Sequence, residues 1–173
     1  MSMRLAQATV VNLASIYAIK GSGRLLCPGL GSCLAVCALD PITNVAGVAH
    51  LMLPKAPENV NQAIAAKFVD SGLSALLVQL AELGATRENL RFAATGGSQL
   101  FSFGVQNQSD LGLRNAEAFR AFAKTHDLNV IATDLGGTSG RSVSFTIDSG
   151  EVLIRTLAQG EKTLCNFRSR EEQ

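Results

Sequence analysis

Apolar residues fall along this chain in two rhythms. In short stretches they run together or alternate between glycine, proline and asparagine, and in two longer stretches they recur every three to four positions. Residues 10–19 read as an N-terminal strand. Residues 34–39 are an uninterrupted apolar run bounded by turns, the pattern of a buried strand. Asp40-Pro41-Ile42-Thr43 makes a turn with proline in its second place, and residues 45–53 return as the next strand until Pro54 ends it. After Pro57 the period changes. Ile64, Phe68, Leu73, Leu76, Leu77, Leu80 and Leu83 mark one face of a long helix that stops at Gly84. Residues 90–95 are a further strand closed by Gly96-Gly97, and the loop beyond carries Phe101 and Phe103, expected to tuck inward as a plug. Residues 115–124 form a second helix, with Phe119, Phe122 and Ala123 on one face. Residues 128–132 are a strand. Residues 143–147 and 152–157 alternate around Asp148-Ser149-Gly150-Glu151 as a hairpin. From Gln159 the chain turns polar and is expected to fray.

Six or seven strands with two helices among them, in segregated order and without a repeat or linker, predict an α+β fold rather than a βαβ array. The expected form is a single layered domain of mixed and antiparallel sheets, sandwich-like, flanked by two main helices. It spans residues 1–158, with a polar tail at 159–173. A chain of 173 residues can bury roughly 70% of its unfolded surface, and 47% hydrophobic against 17% charged residues is a globular balance. A net charge of +1 gives no basic field for nucleic acid, and scattered Lys and Arg make no patch for an anionic membrane. No apolar run reaches the roughly 20 residues that cross a bilayer. The first 20 residues, interrupted by Gln7 and Asn12, do not read as an export signal, so the four cysteines are expected as reduced thiols in a cytoplasm.

Candidate chemistry concentrates in residues 29–54. Cys33 sits on a glycine-flanked turn, and His50, one of two histidines, lies in the following strand. A turn with Pro41 and Ile42 at its centre pairs Asp40 with Thr43 and, counting outward, sets Cys33 opposite His50 on one face, with Cβ atoms about 4.5–5.5 Å apart. A slip of one residue would separate them. A thiol beside an imidazole is a nucleophile with its base: an imidazolium neighbour lowers the thiol pKa, the thiolate attacks an acyl carbon, and the histidine protonates the leaving amine. The N–H groups of Gly31-Ser32-Cys33 could receive the oxyanion.

Other residues read more plainly. Cys37 shares the face of Cys33 and reads as core. His126 follows the second helix as a favourable C-terminal cation, and Cys165 lies in the tail. Cys27, Cys33, Cys37 and His50 lack the short Cys-x₂-Cys knuckle of structural zinc sites. Gly96-Gly97 and Gly136-Gly137 lack the context of a nucleotide loop. Neither a metal nor a cofactor is expected.

Leu30-Gly31-Ser32-Cys33, Asp40-Pro41, Gly47 and His50-Leu51-Met52-Leu53-Pro54 together resemble the chemoreceptor glutamine deamidases of the CheD family. The resemblance continues through Asp70, Gly96-Gly97 with Phe101, Gly112-x-Arg114-Asn115, Asp134-x-Gly136-Gly137 with Gly140-Arg141, and residues 149–153, and covers about residues 10–157. It implies a cytoplasmic chemotaxis enzyme that hydrolyses glutamine side-chain amides on methyl-accepting chemoreceptor helices, and a possible partner in a CheC-type phosphatase. It also implies a fold similar to the catalytic domains of deamidating toxins, with Cys33 as nucleophile and His50 as base. The family's usual threonine, six residues before the nucleophile, is replaced here by Cys27. The third catalytic position then falls to Cys27, a weaker hydrogen-bond partner, or to a backbone carbonyl. The rival expectation is a docking module for a CheC-type phosphatase or receptor, without chemistry.

Overall fold

The computed structural model describes residues 8–100 and 110–169. In chain order it contains β1 (Ala8–Val10), β2 (Ser15–Lys20), β3 (Arg24–Leu30), β4 (Leu34–Asp40), β5 (Val45–Leu51), a 3₁₀ segment (Gln62–Lys67), α1 (Val69–Glu82), β6 (Arg91–Gly96), α2 (Leu111–Thr125), β7 (Val130–Leu135), β8 (Arg141–Thr146), β9 (Glu151–Thr156) and β10 (Gly160–Asn166). The strands form two mixed five-stranded sheets, β1-β3-β8-β9-β10 and β2-β5-β4-β6-β7. This is the sandwich-like α+β domain expected.

Side-chain alternation along the strands builds two cores. Ala35, Cys37 and Leu39 of β4, with Ala46 and Val48 of β5, face Leu25, Cys27, Leu30, Val143, Phe145 and Val152 of the first sheet. The opposite faces of β4 and β5 carry Leu34, Val36, Ala38, Ala49 and Leu51, which pack with Leu73, Leu76 and Leu80 of α1 and Phe119 and Phe122 of α2. The second sheet is therefore the middle layer. Every residue of β4 and β5 is buried, which is why these strands read as apolar runs rather than alternating ones.

Four expectations need correction. Residues 10–19 are not one strand. The chain leaves β1 in the first sheet, turns through Ala14 at φ +54°, and enters β2 in the second. The long helix does not start near residue 57. Phe68 has extended geometry (φ −113°, ψ 146°), because its neighbours bond to the end of β5: Met52 and Leu53 donate N–H to Lys67 O at 3.0 Å each, and Val69 N–H donates to Leu53 O at 2.8 Å. The polar tail does not fray over residues 160–166, which pair antiparallel with β9. Beyond them Phe167 is fully buried, edge-on to Phe145 at 5.3 Å. Polar outer positions belong to an edge strand as well as to a loose end. The β4–β5 connection is two residues longer than expected. Asp40 pairs with Val45, since Asn44 takes a left-handed conformation (φ +57°) and Asp40 Oδ1 accepts N–H of Ile42 and Thr43 at 2.9 and 3.1 Å. Phe101 and Phe103 lie outside the described residues.

Candidate active site

The two-residue change in turn length moves the register without changing its parity. His50 pairs with Ala35, not with the Cys33 position. Cys33, just ahead of β4, still packs against the inter-sheet core on the face that His50 occupies. Diagonal neighbours of this kind stand about 7–8 Å apart at Cα and somewhat less at Cβ. The expected head-on pair is thus a diagonal one, and no hydrogen bond joins the two side chains. Among the described residues, no three metal-binding side chains converge.

His50 is oriented by the backbone. Its Nδ1 lies 3.2 Å from the carbonyl oxygen of Val11, at the corner between the two sheets. A carbonyl can only accept, so Nδ1 carries the hydrogen and Nε2 keeps a lone pair. That Nε2 is buried and has no partner among the described residues. Val11 is itself held, its N–H donating to Leu26 O at 2.8 Å. Cys27 is a buried β3 residue opposite Val143, its thiol pushed up to about 12, chiefly by burial and then by the nearby charge Cys33 would carry.

Burial also sets the resting protonation of the pair. It lowers the His50 pKa, against the Val11 bond that raises it. It raises the half-buried Cys33 thiol, against the Ser32 hydroxyl that lowers it. Both shifts favour the uncharged forms, thiol and imidazole. This differs from the thiolate–imidazolium pair that adjacency alone suggests.

The turn bearing Cys33 is tied down through three consecutive carbonyls. Gly31 O accepts from Ser98 N–H, Ser32 O from the Asn115 side-chain amide, and Cys33 O from Gly97 N–H, all at 2.9 Å. The approach at Gly96 (φ +112°) is so close that a Cβ there would sit 2.1 Å from Cys33 O, so only glycine fits. Gly112 lets α2 approach in the same way, since its Cβ would lie 2.4 Å from Ser98 O. Buried Arg141 fastens the next loop. It donates to Asp134 O (2.6 Å), Ser98 Oγ (2.9 Å) and Gly136 O, and its guanidinium lies 3.1 Å from the Asp134 carboxylate. A cleft of about 640 Å³ opens beside Gly31, lined by Leu100, Gly140, Arg155 and Leu157 among others. His126 lies apart from this site, stacked on Phe122 at 3.8 Å.

The glycine pairs, the asparagine and the arginine that looked like isolated turns and motifs therefore surround one turn. A family model described as CheD chemotactic sensory transduction matches residues 52–156. A probable chemoreceptor glutamine deamidase CheD from Desulfitobacterium hafniense (strain Y51) is 36% identical over 155 residues, covering 89% of this chain and 96% of that protein. The chain belongs to the CheD family. The chemoreceptor glutamine deamidases CheD of Halalkalibacterium halodurans and Thermotoga maritima are 35% and 33% identical. They cover 89% and 88% of this chain, and 96% and 94% of the relatives. The CheD family model starts beyond both Cys33 and His50 but contains Gly96, Asn115 and Arg141. Matches to the CheD relatives that cover 89% of a 173-residue chain take in residues 33 and 50 as well.

Val11 and Asn115 were not identified as site residues from sequence. Val11 acts through a backbone oxygen, which leaves no side-chain signal. Asn115 did leave one: it is the single polar side chain on the buried stripe Gly112, Asn115, Ala116, Phe119, Phe122 of α2.

Proposed function

We propose that this protein hydrolyses glutamine side-chain amides on methyl-accepting chemoreceptor helices, with Cys33 as nucleophile and His50 as base. The observation that carries this reading is the contact of His50 Nδ1 with the Val11 carbonyl oxygen at 3.2 Å. The Val11 carbonyl holds the hydrogen on Nδ1 and leaves a buried Nε2 lone pair on the face of the middle sheet that Cys33 shares. Membership in a family whose named members are chemoreceptor glutamine deamidases supplies the substrate.

The starting state is neutral. As the receptor glutamine enters, the Cys33 side chain closes on Nε2; catalytic hydrogen bonds are commonly long before substrate binds. The S–H proton passes to Nε2 while sulfur bonds to the carboxamide carbon, and the carbonyl π electrons move to oxygen. The C–N bond then breaks, Nε2–H protonates the nitrogen, and ammonia leaves a thioester. Water attacks the thioester as Nε2 takes its proton. The sulfur departs and recovers that proton, leaving glutamate. Among the described residues, the N–H groups of Ser32 and Cys33 have no hydrogen-bond acceptor, while all three carbonyls of the turn are engaged. This supports their use as oxyanion donors. In this reading Val11 O fills the third position, and Cys27 is packing.

The protein would act in the cytoplasm, where a CheC-type phosphatase is a possible partner. Among the described residues no helix is long and apolar enough to cross a membrane. The test is mass spectrometry of a purified receptor cytoplasmic fragment incubated with wild type or Cys33→Ala. Wild type should convert specific glutamines to glutamate and the variant none. Conversion by Cys33→Ala would refute the nucleophile, and no conversion by wild type would favour the docking module.

A further inference from the structure

We propose that Asn115 is a positioning residue for this reaction, a single carboxamide that sets the turn carrying the thiol against the strand carrying the imidazole. The inference rests on the assignment of Cys33 and His50 made above. Asn115 Nδ2 lies 2.9 Å from Ser32 O and 2.9 Å from Met52 O. Both neighbours are carbonyl oxygens, so the nitrogen must face them, and its two hydrogens are divided one to each. Ser32 immediately precedes the nucleophile, and Met52 follows His50 by two residues. The β4–β5 pairing ends at Leu34 and Leu51, just short of both carbonyls. Asn115 therefore takes over where the strand ladder stops.

Its surroundings sharpen the point. The side chain is fully buried on a stripe that is otherwise glycine, alanine and phenylalanine. A carboxamide in such a place costs free energy unless its hydrogen bonds recover it. Oδ1 is buried without a donor among the described residues, and within them the two donated bonds orient the group. An alanine or leucine would bury no carboxamide there. What the asparagine adds is a pair of bonds joining two segments 20 positions apart, and a displacement of about 1 Å between reacting groups can cost about 100-fold in rate.

Asn115→Ala removes both donors. On the receptor fragment its kcat should fall about 10–100-fold with KM within about twofold of wild type, and the pH profile of Cys33 alkylation by iodoacetamide should shift, because the freed turn alters the burial and the Ser32 contact that set the thiol. Phe122→Leu, at the far end of the same helix, loosens the core without touching these carbonyls and should leave kcat and the alkylation profile unchanged. Wild-type kcat and alkylation in folded Asn115→Ala would overturn the proposal, and so would an equal loss in Phe122→Leu. Ammonia release by Cys33→Ala would instead remove the nucleophile whose turn Asn115 anchors. Should Asn115→Ala not fold, the intact chain decides the matter. The ¹⁵N side-chain amide resonances of Asn115 should move when Cys33 is alkylated, and their failure to move would overturn the proposal.

Discussion

The resting state of Cys33 can be read directly from its reaction with iodoacetamide as pH is varied. A thiol at its ordinary pKa of 9.0 is only about 1% ionised at pH 7, and burial of Cys33 takes that fraction lower. His50 cannot offset this as a cation, because burial also holds its pKa below the ordinary 6.5. The alkylation rate at pH 7 should therefore lie at least about 100-fold below its alkaline plateau, measured by mass spectrometry of the Cys33 peptide. A preformed thiolate–imidazolium pair would bring the rate near its plateau by pH 7. Taking the ratio within one protein removes the effect of access, since partial burial slows both rates alike. His50→Ala should leave the shape of the profile in place while lowering deamidation about 10²–10⁴-fold, because a neutral imidazole acts on the proton in flight rather than on the resting sulfur. An inflection near neutral pH that disappears in His50→Ala would refute the neutral-pair mechanism.

Two other outcomes follow from the same geometry. Cys27→Ala should keep kcat/KM within about threefold of wild type, since Val11 O and not the Cys27 thiol holds Nδ1; a loss of 10² or more, as expected on removing a true catalytic group, would return Cys27 to the third position. Asp40 is buried, which raises its pKa, yet N–H bonds from Thr86, Thr43 and Ile42 outweigh burial and hold it below the ordinary 3.8. Its contribution is full above pH 3.8 and is lost as pH falls through the folded value, so Asp40→Ala should cost about 2–4 kcal/mol in urea denaturation at pH 7. The gap should narrow below that pH, and an equal gap at pH 7 and pH 3 would contradict the assignment.

Parity was legible in the residue order, and it mattered more than register. The turn after Asp40 proved two residues longer than its composition indicated, because Asn44 accepts a left-handed backbone and Asp40 binds the turn's own N–H groups. Had the error been one residue, Cys33 and His50 would face different cores. Side chains alternate along a strand, so a shift of two leaves both on the inter-sheet face. The fully buried β4 and β5 and the apolar face of α1 were equally readable, because burial on both faces or along one stripe writes itself into side-chain type. The edge strand β10 was not readable, since the solvent that wets its outer positions favours the same residues as a frayed end.

What the residue order settled for this chain was local: which stretches prefer strand or helix, which faces are apolar, and that one thiol and one imidazole could share a face. Folding alone decided what those two groups would be. Val11 contributes a backbone oxygen common to every residue and acquires its role only because the chain changes sheets there. Asn115 reaches Ser32 and Met52 only because glycines at 96 and 112 admit close contact between distant segments. Protonation, too, is a tertiary property: burial by the surrounding layers favours the uncharged form of both groups, and no spacing along the chain records how much water a fold will exclude.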